Sequence, residues 1–160
     1  MKSTKLISLL VCFFVASAAA NAQKKSEGRE LAELGFAAVD AQSKGFAHIG
    51  DLEAYRKLVF VSMDANDDKK VDLNEFLGWD YGFHLIAEEQ GKKNAYLTSK
   101  KVIFHFWDRN GDGFLAPAEH RKAIIADFQR ADLNNDAILS KEEFIRNFSI
   151  MAAMRAALKD

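Results

Sequence analysis

The feature that most constrains this chain is a short motif that occurs four times, a phenylalanine followed four residues later by an aspartate. The aspartates lie 24, 44 and 24 residues apart, which groups the repeats into two pairs. Internal repeats of this length indicate one supersecondary unit that is used several times, and they bound the fold before any other consideration. The four pairs are Phe36/Asp40, Phe60/Asp64, Phe104/Asp108 and Phe128/Asp132.

Three of the four aspartates open a 12-residue segment that carries oxygen-bearing side chains at alternate positions and ends in glutamate. Clusters of Asp and Asn favour turns on their own. A simple turn, however, gives no reason for a terminal glutamate in three separate segments, nor for an apolar residue at each eighth position. The pattern therefore predicts metal-binding loops. The segments are 64–75 (DANDDKKVDLNE), 108–119 (DRNGDGFLAPAE) and 132–143 (DLNNDAILSKEE), with Val71, Leu115 and Leu139 at the eighth positions.

These segments resemble the calcium-binding loops of the EF-hand family, and the resemblance covers nearly all of residues 36–150. Calcium takes six to eight oxygen ligands, which such a loop supplies from side chains at positions 1, 3 and 5, a carbonyl at 7, a side chain or water at 9, and a bidentate glutamate at 12. The resemblance implies about three bound calcium ions, with magnesium as a competing ion. The implied ligands are Asp64, Asn66, Asp68, the Lys70 carbonyl, Asp72 and Glu75; Asp108, Asn110, Asp112, the Phe114 carbonyl, water at Ala116 and Glu119; and Asp132, Asn134, Asp136, the Ile138 carbonyl, Ser140 and Glu143.

The sixth position ranks these loops. The chain turns there with a positive φ, which favours glycine. Gly113 meets this need in the 108–119 loop, whereas Lys69 and Ala137 occupy the position in the other two. A left-handed conformation costs such residues roughly 1–2 kcal/mol. We therefore expect the 108–119 loop to be the best formed. We expect Asp72 to compensate in the 64–75 loop, and the 132–143 loop still to bind.

The repeat that begins at Asp40 is degenerate. A 12-residue count places Lys44 at position 5 and Asp51 at position 12. Aligning Ile49 with the apolar eighth positions instead requires a 14-residue loop that ends at Glu53. Both alignments break the ligand set, because Lys44 puts a cation where a carboxylate is needed. We expect this loop to hold no calcium and to act as a structural partner for another loop.

The resemblance implies an all-α fold of EF-hand helix-loop-helix repeats, and the spacing arranges the repeats as two closely spaced pairs in residues 23–90 and 91–160. Twelve residues separate Glu119 from Asp132, enough for about three helical turns, so one helix leaves a loop and enters the next. Residues 52–63 do the same in the first pair. This compact layout resembles that of exported bacterial EF-hand proteins. It leaves open whether short strands pair sequential loops or loops of different halves.

Longer helices complete the predicted architecture. Residues 73–90 are predicted to form one helix, weakened by Gly78 and Gly82 at about 1 kcal/mol each. A linker at 91–94 precedes the helix 95–107. A last helix is predicted to bury one face. That face carries Phe144, Phe148, Met151 and Leu158.

The N-terminus reads as a secretory signal peptide, residues 1–22. Lys2 and Lys5 precede an apolar run at 6–20 that ends in Ala20-Asn21-Ala22, a signal-peptidase pattern. The run is shorter than the roughly 20 residues that span a bilayer. We expect cleavage after Ala22 and a secreted or periplasmic product; the alternative is an uncleaved membrane anchor. Cleavage would remove Cys12, the only cysteine, so no disulfide is expected.

Composition narrows the function classes. The formal charge is −1, from 22 basic and 23 acidic residues, so no basic region for nucleic acid is present. The sequence contains no phosphate-binding glycine loop and no nucleophile motif, so we do not expect an enzyme. Aromatic and methionine residues near the ends of the repeats are predicted to pack in the core, rather than to form a cofactor site or a partner groove. They are Trp79, Tyr81, Phe83, Met151 and Met154.

Two hypotheses for function follow. The first is an exported calcium-binding protein that acts as a sensor, a buffer or a calcium-stabilised module. The alternative is a helical protein-interaction module whose metal loops are partly vestigial, with its partner surface at residues 79–83 or at the C-terminus.

Overall fold

The computed structural model describes residues 25–158, in which eight helices and four two-residue strands alternate with loops. The predicted all-α fold is confirmed. The signal peptide, its cleavage site at Ala22 and Cys12 lie outside the described residues and stay predictions. The elements are α1 (Glu27–Val39), β1 (Phe46–Ala47), α2 (Ile49–Met63), β2 (Val71–Asp72), α3 (Leu73–Gly78), α4 (Phe83–Glu89), α5 (Lys93–Trp107), β3 (Phe114–Leu115), α6 (Pro117–Ala131), β4 (Leu139–Ser140), α7 (Lys141–Asn147) and α8 (Ser149–Leu158).

The Phe-x-x-x-Asp motif marks the end of a helix in all four repeats. Each aspartate is the residue that ends the helix, and its backbone N–H donates to the carbonyl of the phenylalanine four residues earlier. Each phenylalanine is buried, from fully in Phe104 to 8% exposed in Phe128. The motif therefore couples the last turn of a helix to the core and starts a loop at the next residue.

Two helices are shared between neighbouring loops, as predicted. Helix α2 runs from the Asp40 loop to the Asp64 loop, and α6 runs from the Asp108 loop to the Asp132 loop. These two helices also pack against each other. The four loops are thereby carried on a common framework.

The strands join loops of different halves of the chain. Strand β1 pairs antiparallel with β4, and β2 pairs antiparallel with β3. Val71 lies opposite Leu115, and Ala47 lies opposite Leu139. Each strand pair thus joins eighth positions of two loops. This answers the question that the sequence left open, and the strands cross the division predicted at residues 90 and 91, which itself stays a prediction.

One buried hydrophobic cluster extends through the described residues. Helix α8 packs on α5 and α1, and α7 packs on α1 and α6. Phe83, Met151 and Met154 are buried, while Trp79 and Tyr81 are partly buried, pack against the cluster and contact each other edge to face. Their prediction as core residues is confirmed.

The predicted single helix 73–90 is wrong, because the chain breaks between α3 and α4 at residues 79–82. The break has two local causes. Gly82 adopts φ 96°, which a right-handed helix excludes, and the Asp80 carboxylate accepts the backbone N–H of His84 in the first turn of α4. A distant side chain also stabilises the break, because the Lys100 ammonium donates to the carbonyls of Leu77 and Trp79.

The C-terminal prediction is also corrected. The four residues of the predicted apolar face are buried, but they do not share one helix: Phe144 lies in α7, Met151 and Leu158 lie in α8, and Phe148 is extended (φ −67°, ψ 121°) between the two helices. In addition, α5 begins at Lys93, two residues before the predicted Ala95, so the predicted linker 91–94 is shorter. Within residues 25–158, no helix is long and apolar enough to cross a membrane.

Candidate metal centre

The 108–119 loop brings together three carboxylates. Asp108 is buried at the end of α5, Asp112 is exposed in the loop, and Glu119 is half-buried in the first turn of α6. One potential ligand atom from each lies within 4.8 Å of those of the other two. This is the only group of three or more Asp, Glu, His or Cys residues with such spacing among the residues that the structure describes.

Asp108 and Glu119 also hold the loop in shape. Asp108 Oδ1 accepts the backbone N–H groups of Gly111 and Asp112 at 2.9 and 3.2 Å, and its Oδ2 accepts that of Gly113 at 3.0 Å. Glu119 Oε1 accepts the N–H of Asn110 at 3.3 Å, and Oε2 accepts the N–H of Ala116 at 3.1 Å. The first and last predicted ligands are therefore fixed by the backbone that they enclose.

The loops at 64–75 and 132–143 repeat these contacts. Their first aspartates accept the N–H groups of positions 5 and 6, at 3.1 and 2.9 Å in the first case and 3.2 and 3.0 Å in the second. Their terminal glutamates accept the N–H of position 9, both at 2.9 Å. The three predicted sites therefore share one fold, although only the 108–119 loop groups three carboxylates within 4.8 Å.

The asparagines at position 3 link to the aspartates at position 5 in all three loops. The side-chain Nδ2 donates to the aspartate Oδ2, and the Oδ1 accepts the backbone N–H of that aspartate. The Nδ2 distances are 3.3, 3.0 and 2.9 Å for Asn66, Asn110 and Asn134. The same aspartates accept the N–H of position 7 at 2.9, 2.9 and 3.0 Å. These contacts place positions 3, 5 and 7 side by side.

Position 9 has a second function beside the predicted one. Asp72 and Ser140 are the N-cap residues of α3 and α7, and each accepts the backbone N–H of the glutamate at position 12, at 2.8 and 3.2 Å. Ser140 Oγ also donates to Glu143 Oε2 at 2.8 Å. The side chains at position 9 therefore also fix the start of the helix that leaves the loop.

The backbone confirms the expected turn and adds one that the sequence analysis missed. Position 6 has positive φ in every loop: 66° in Lys69, 86° in Gly113 and 65° in Ala137. Position 4 is left-handed as well, at 59° in Asp67, and Gly111 and Asn135 adopt the same conformation. Gly, Asn and Asp are the residues that tolerate it most readily, so their recurrence at position 4 was the available signal.

The Asp40 loop follows the 12-residue count. Asp40 Oδ1 and Oδ2 accept the N–H groups of Lys44 and Gly45 at 2.9 and 2.7 Å, and Asp51 Oδ2 accepts the N–H of His48 at 2.8 Å. These are the contacts of positions 1, 5, 6, 9 and 12 in the other loops. The alternative 14-residue alignment is wrong, because Ala47 rather than Ile49 pairs with Leu139.

The four histidines do not join the carboxylate group. His120 is 2% exposed and packs between Phe60 and Trp107, with ring centroids 5.7 and 5.3 Å away. Burial, with the nearby Arg56 charge as a second cause, lowers the pKa of His120 to about 3. The imidazole is therefore neutral at ordinary pH and belongs to the core.

Two curated proteins are similar to this chain: calcium-dependent protein kinase 3 and calcium-dependent protein kinase 16 of Oryza sativa subsp. japonica. Each is 23% identical over 125 residues, covering 69% of this chain and 21% of the kinase. The chain thus spans about a fifth of the length of these relatives. No family model matches the chain, and no solved structure matches it.

Proposed function

We propose that this protein is an EF-hand protein that binds calcium ions in the loops 64–75, 108–119 and 132–143, and that it is not an enzyme. The observation that carries the proposal is the group formed by Asp108, Asp112 and Glu119. The other two loops support it by repeating the same backbone contacts. The similarity to two proteins named calcium-dependent agrees with this proposal.

The donor set fits calcium. Each predicted loop offers carboxylate, amide and carbonyl oxygens, and no thiolate or imidazole takes part. Oxygen donors select hard cations such as Ca²⁺, Mg²⁺ and Mn²⁺ over softer metals. A glutamate that supplies two oxygens suits the larger calcium ion better than magnesium, which demands near-octahedral geometry and keeps several waters.

We keep three biological roles as proposals: sensor, buffer and calcium-stabilised module. Sensor EF-hands open on binding and expose an apolar groove, whereas buffer EF-hands barely open. The alternative interaction surface has little support, because Met151 and Met154 are buried at the C-terminus and residues 79–82 are not helical.

Calorimetric titration of the chain without residues 1–22 is expected to show three calcium ions per molecule. Magnesium should compete only weakly, because the terminal glutamates favour a larger ion. Asp51→Asn changes position 12 of the Asp40 loop and should leave the number of calcium ions unchanged, because that loop is expected to hold none. A count of four in the parent, or of one or none, would contradict the proposed ligand sets.

Export is tested separately. The proposed signal peptide predicts that protein recovered from an exporting host begins at Gln23, because signal peptidase cuts after Ala22. N-terminal sequencing of the soluble fraction measures this directly. Membrane-associated protein that begins at Met1 would support an uncleaved anchor and overturn the proposal.

A further inference from the structure

The Asp40 loop has the backbone conformation of a metal-binding loop, but it carries a positive charge where the other loops carry a carboxylate. Its backbone contacts match those of the three predicted sites, and Gly45 has the positive φ of position 6, at 84°. In the other loops, positions 1, 5, 9 and 12 carry three or four carboxylates and no cation. Here position 5 is Lys44. The loop is thus fully folded although its ligand set is broken.

The ammonium group of Lys44 points back into its own loop. Lys44 Nζ donates to Asp51 Oδ2 at 2.5 Å, so position 5 contacts position 12 directly. The same ammonium lies 5.4 Å from the ring centroid of Phe46 at position 7. The two charged side chains are only 24% and 23% exposed. The positive charge therefore lies among the residues that would surround an ion.

The contact has the electrostatic effect that a bound cation would have. The hydrogen bond from Lys44, followed by that from the His48 backbone, lowers the pKa of Asp51 below its usual value. Asp51 is also shorter than the glutamate of the other loops, which suits contact with one ammonium rather than the two-oxygen contact that calcium takes. The lysine at position 5 and the aspartate at position 12 are thus matched to each other.

We propose that Lys44 is a built-in cation of the Asp40 loop, which closes that loop without metal and keeps the β1–β4 strand pair formed when calcium is absent. Strand β1 of this loop pairs with β4 of the 132–143 loop. The other strand pair joins two loops in which an aspartate, Asp68 or Asp112, occupies position 5 in place of a lysine. The β1–β4 pair therefore stays formed without calcium through its Asp40 loop, although the 132–143 loop on its other side takes an ion, whereas the β2–β3 pair responds to calcium on both sides.

Amide hydrogen exchange in excess chelator tests this proposal without any bound metal. We expect the paired residues 46–47 and 139–140 to stay protected in the parent, while residues 71–72 and 114–115 lose protection. Lys44→Met keeps the length of the side chain but removes its charge, leaving Asp51 uncompensated. It should lower protection of the β1–β4 pair by about tenfold, between the effects of exposed and buried ion pairs.

Three controls make the result specific. Lys57→Met removes an exposed lysine of α2 and should leave the β1–β4 pair as protected as in the parent. Asp51→Asn should reproduce the loss, and the double variant should lose less than the two single variants together, because neither partner is then left alone. Unchanged protection in Lys44→Met, additive losses in the double variant, or equal loss of both strand pairs in the parent would each overturn the proposal.

A gain of binding provides an independent test. Replacing Gln42→Asn, Lys44→Asp and Asp51→Glu together restores positions 3, 5 and 12 of the loop, which already has Gly45 at position 6. We expect calorimetry to find one more calcium ion than in the parent, whereas Lys44→Met alone adds none. No additional ion in the triple variant would overturn the proposal. If the parent binds no calcium, the proposed function fails. The hydrogen-exchange experiment would still show whether Lys44 keeps the β1–β4 strand pair formed without metal.

Discussion

Glu119→Gln is expected to remove most of the stability that calcium gives to the 108–119 loop, and to lower the melting temperature in calcium more than Glu143→Gln does. A bound ion stabilises the native state by RT ln(1 + [L]/Kd), about 2.7 kcal/mol at a hundredfold excess over Kd. For a chain of this size that is a melting shift on the order of 5–10 °C. Thermal unfolding of both variants at one fixed calcium concentration measures the difference.

The expected ranking has two structural reasons. Gly113 takes its left-handed turn without the cost that Ala137 bears at the same place. Glu119 also belongs to the carboxylate group that lies within 4.8 Å. Both substitutions keep the contact at the helix start, because the one carbonyl oxygen of glutamine can still accept the position 9 N–H that Glu119 and Glu143 accept.

The chelated proteins provide the control for this pair. With calcium removed, both variants should melt close to the parent, since neither side chain then has an ion to hold. Equal losses in chelator would show that the two glutamates act as helix caps, and the ranking would have to be abandoned. A larger loss in Glu143→Gln in calcium would reverse the order of the sites.

The loops could be predicted from the sequence because their contacts are local. Asp108 and Glu119 lie in one 12-residue segment, so the chain itself fixes which oxygens can meet. The shared helices followed from the same short distances. The strand partners could not be predicted, because Ala47, Val71, Leu115 and Leu139 are all small or apolar residues at the same loop position. Which of them meet depends on how the helices pack.

Two further features escaped prediction for physical reasons. The helix break at 79–82 depends on Lys100, which reaches it from a helix about twenty residues later in the chain. The sequence analysis interpreted Lys44 as a defect in a metal site, because a ligand motif counts only oxygen donors and treats a lysine as a missing ligand. Its ion pair with Asp51 becomes visible only when the loop is folded.

Lys100 is a buried cation with an unusual set of partners. It is 1% exposed, and its ammonium lies 5.4 and 5.7 Å from the ring centroids of Phe76 and Tyr96. Its hydrogen bonds go to the carbonyls of Leu77 and Trp79 rather than to a carboxylate. Burial lowers the pKa of Lys100 from 10.5 to about 8, although the charge of Asp80, which accepts a hydrogen bond from Tyr96 Oη at 2.7 Å, opposes the shift.

The stability of the Lys100→Met variant relative to the parent should therefore fall as the pH rises from 8 to 10. The pKa of Lys100 is lower in the folded state than in the unfolded state, so unfolding of the parent takes up a proton between pH 8 and pH 10. The free energy of unfolding of the parent therefore increases as the proton concentration falls. Methionine has no proton to exchange. We expect the free energy of unfolding of the parent, relative to the variant, to rise by about 2–3 kcal/mol over two pH units. Urea unfolding at both pH values, with calcium held constant, measures this difference in the free energy of unfolding.

The control variant, Lys101→Met, replaces an exposed lysine of the same helix. Its difference from the parent in the free energy of unfolding should be the same at both pH values. A gap for Lys100→Met that is the same at pH 8 and pH 10 would show that burial of this ammonium does not control the stability of the α3–α4 break.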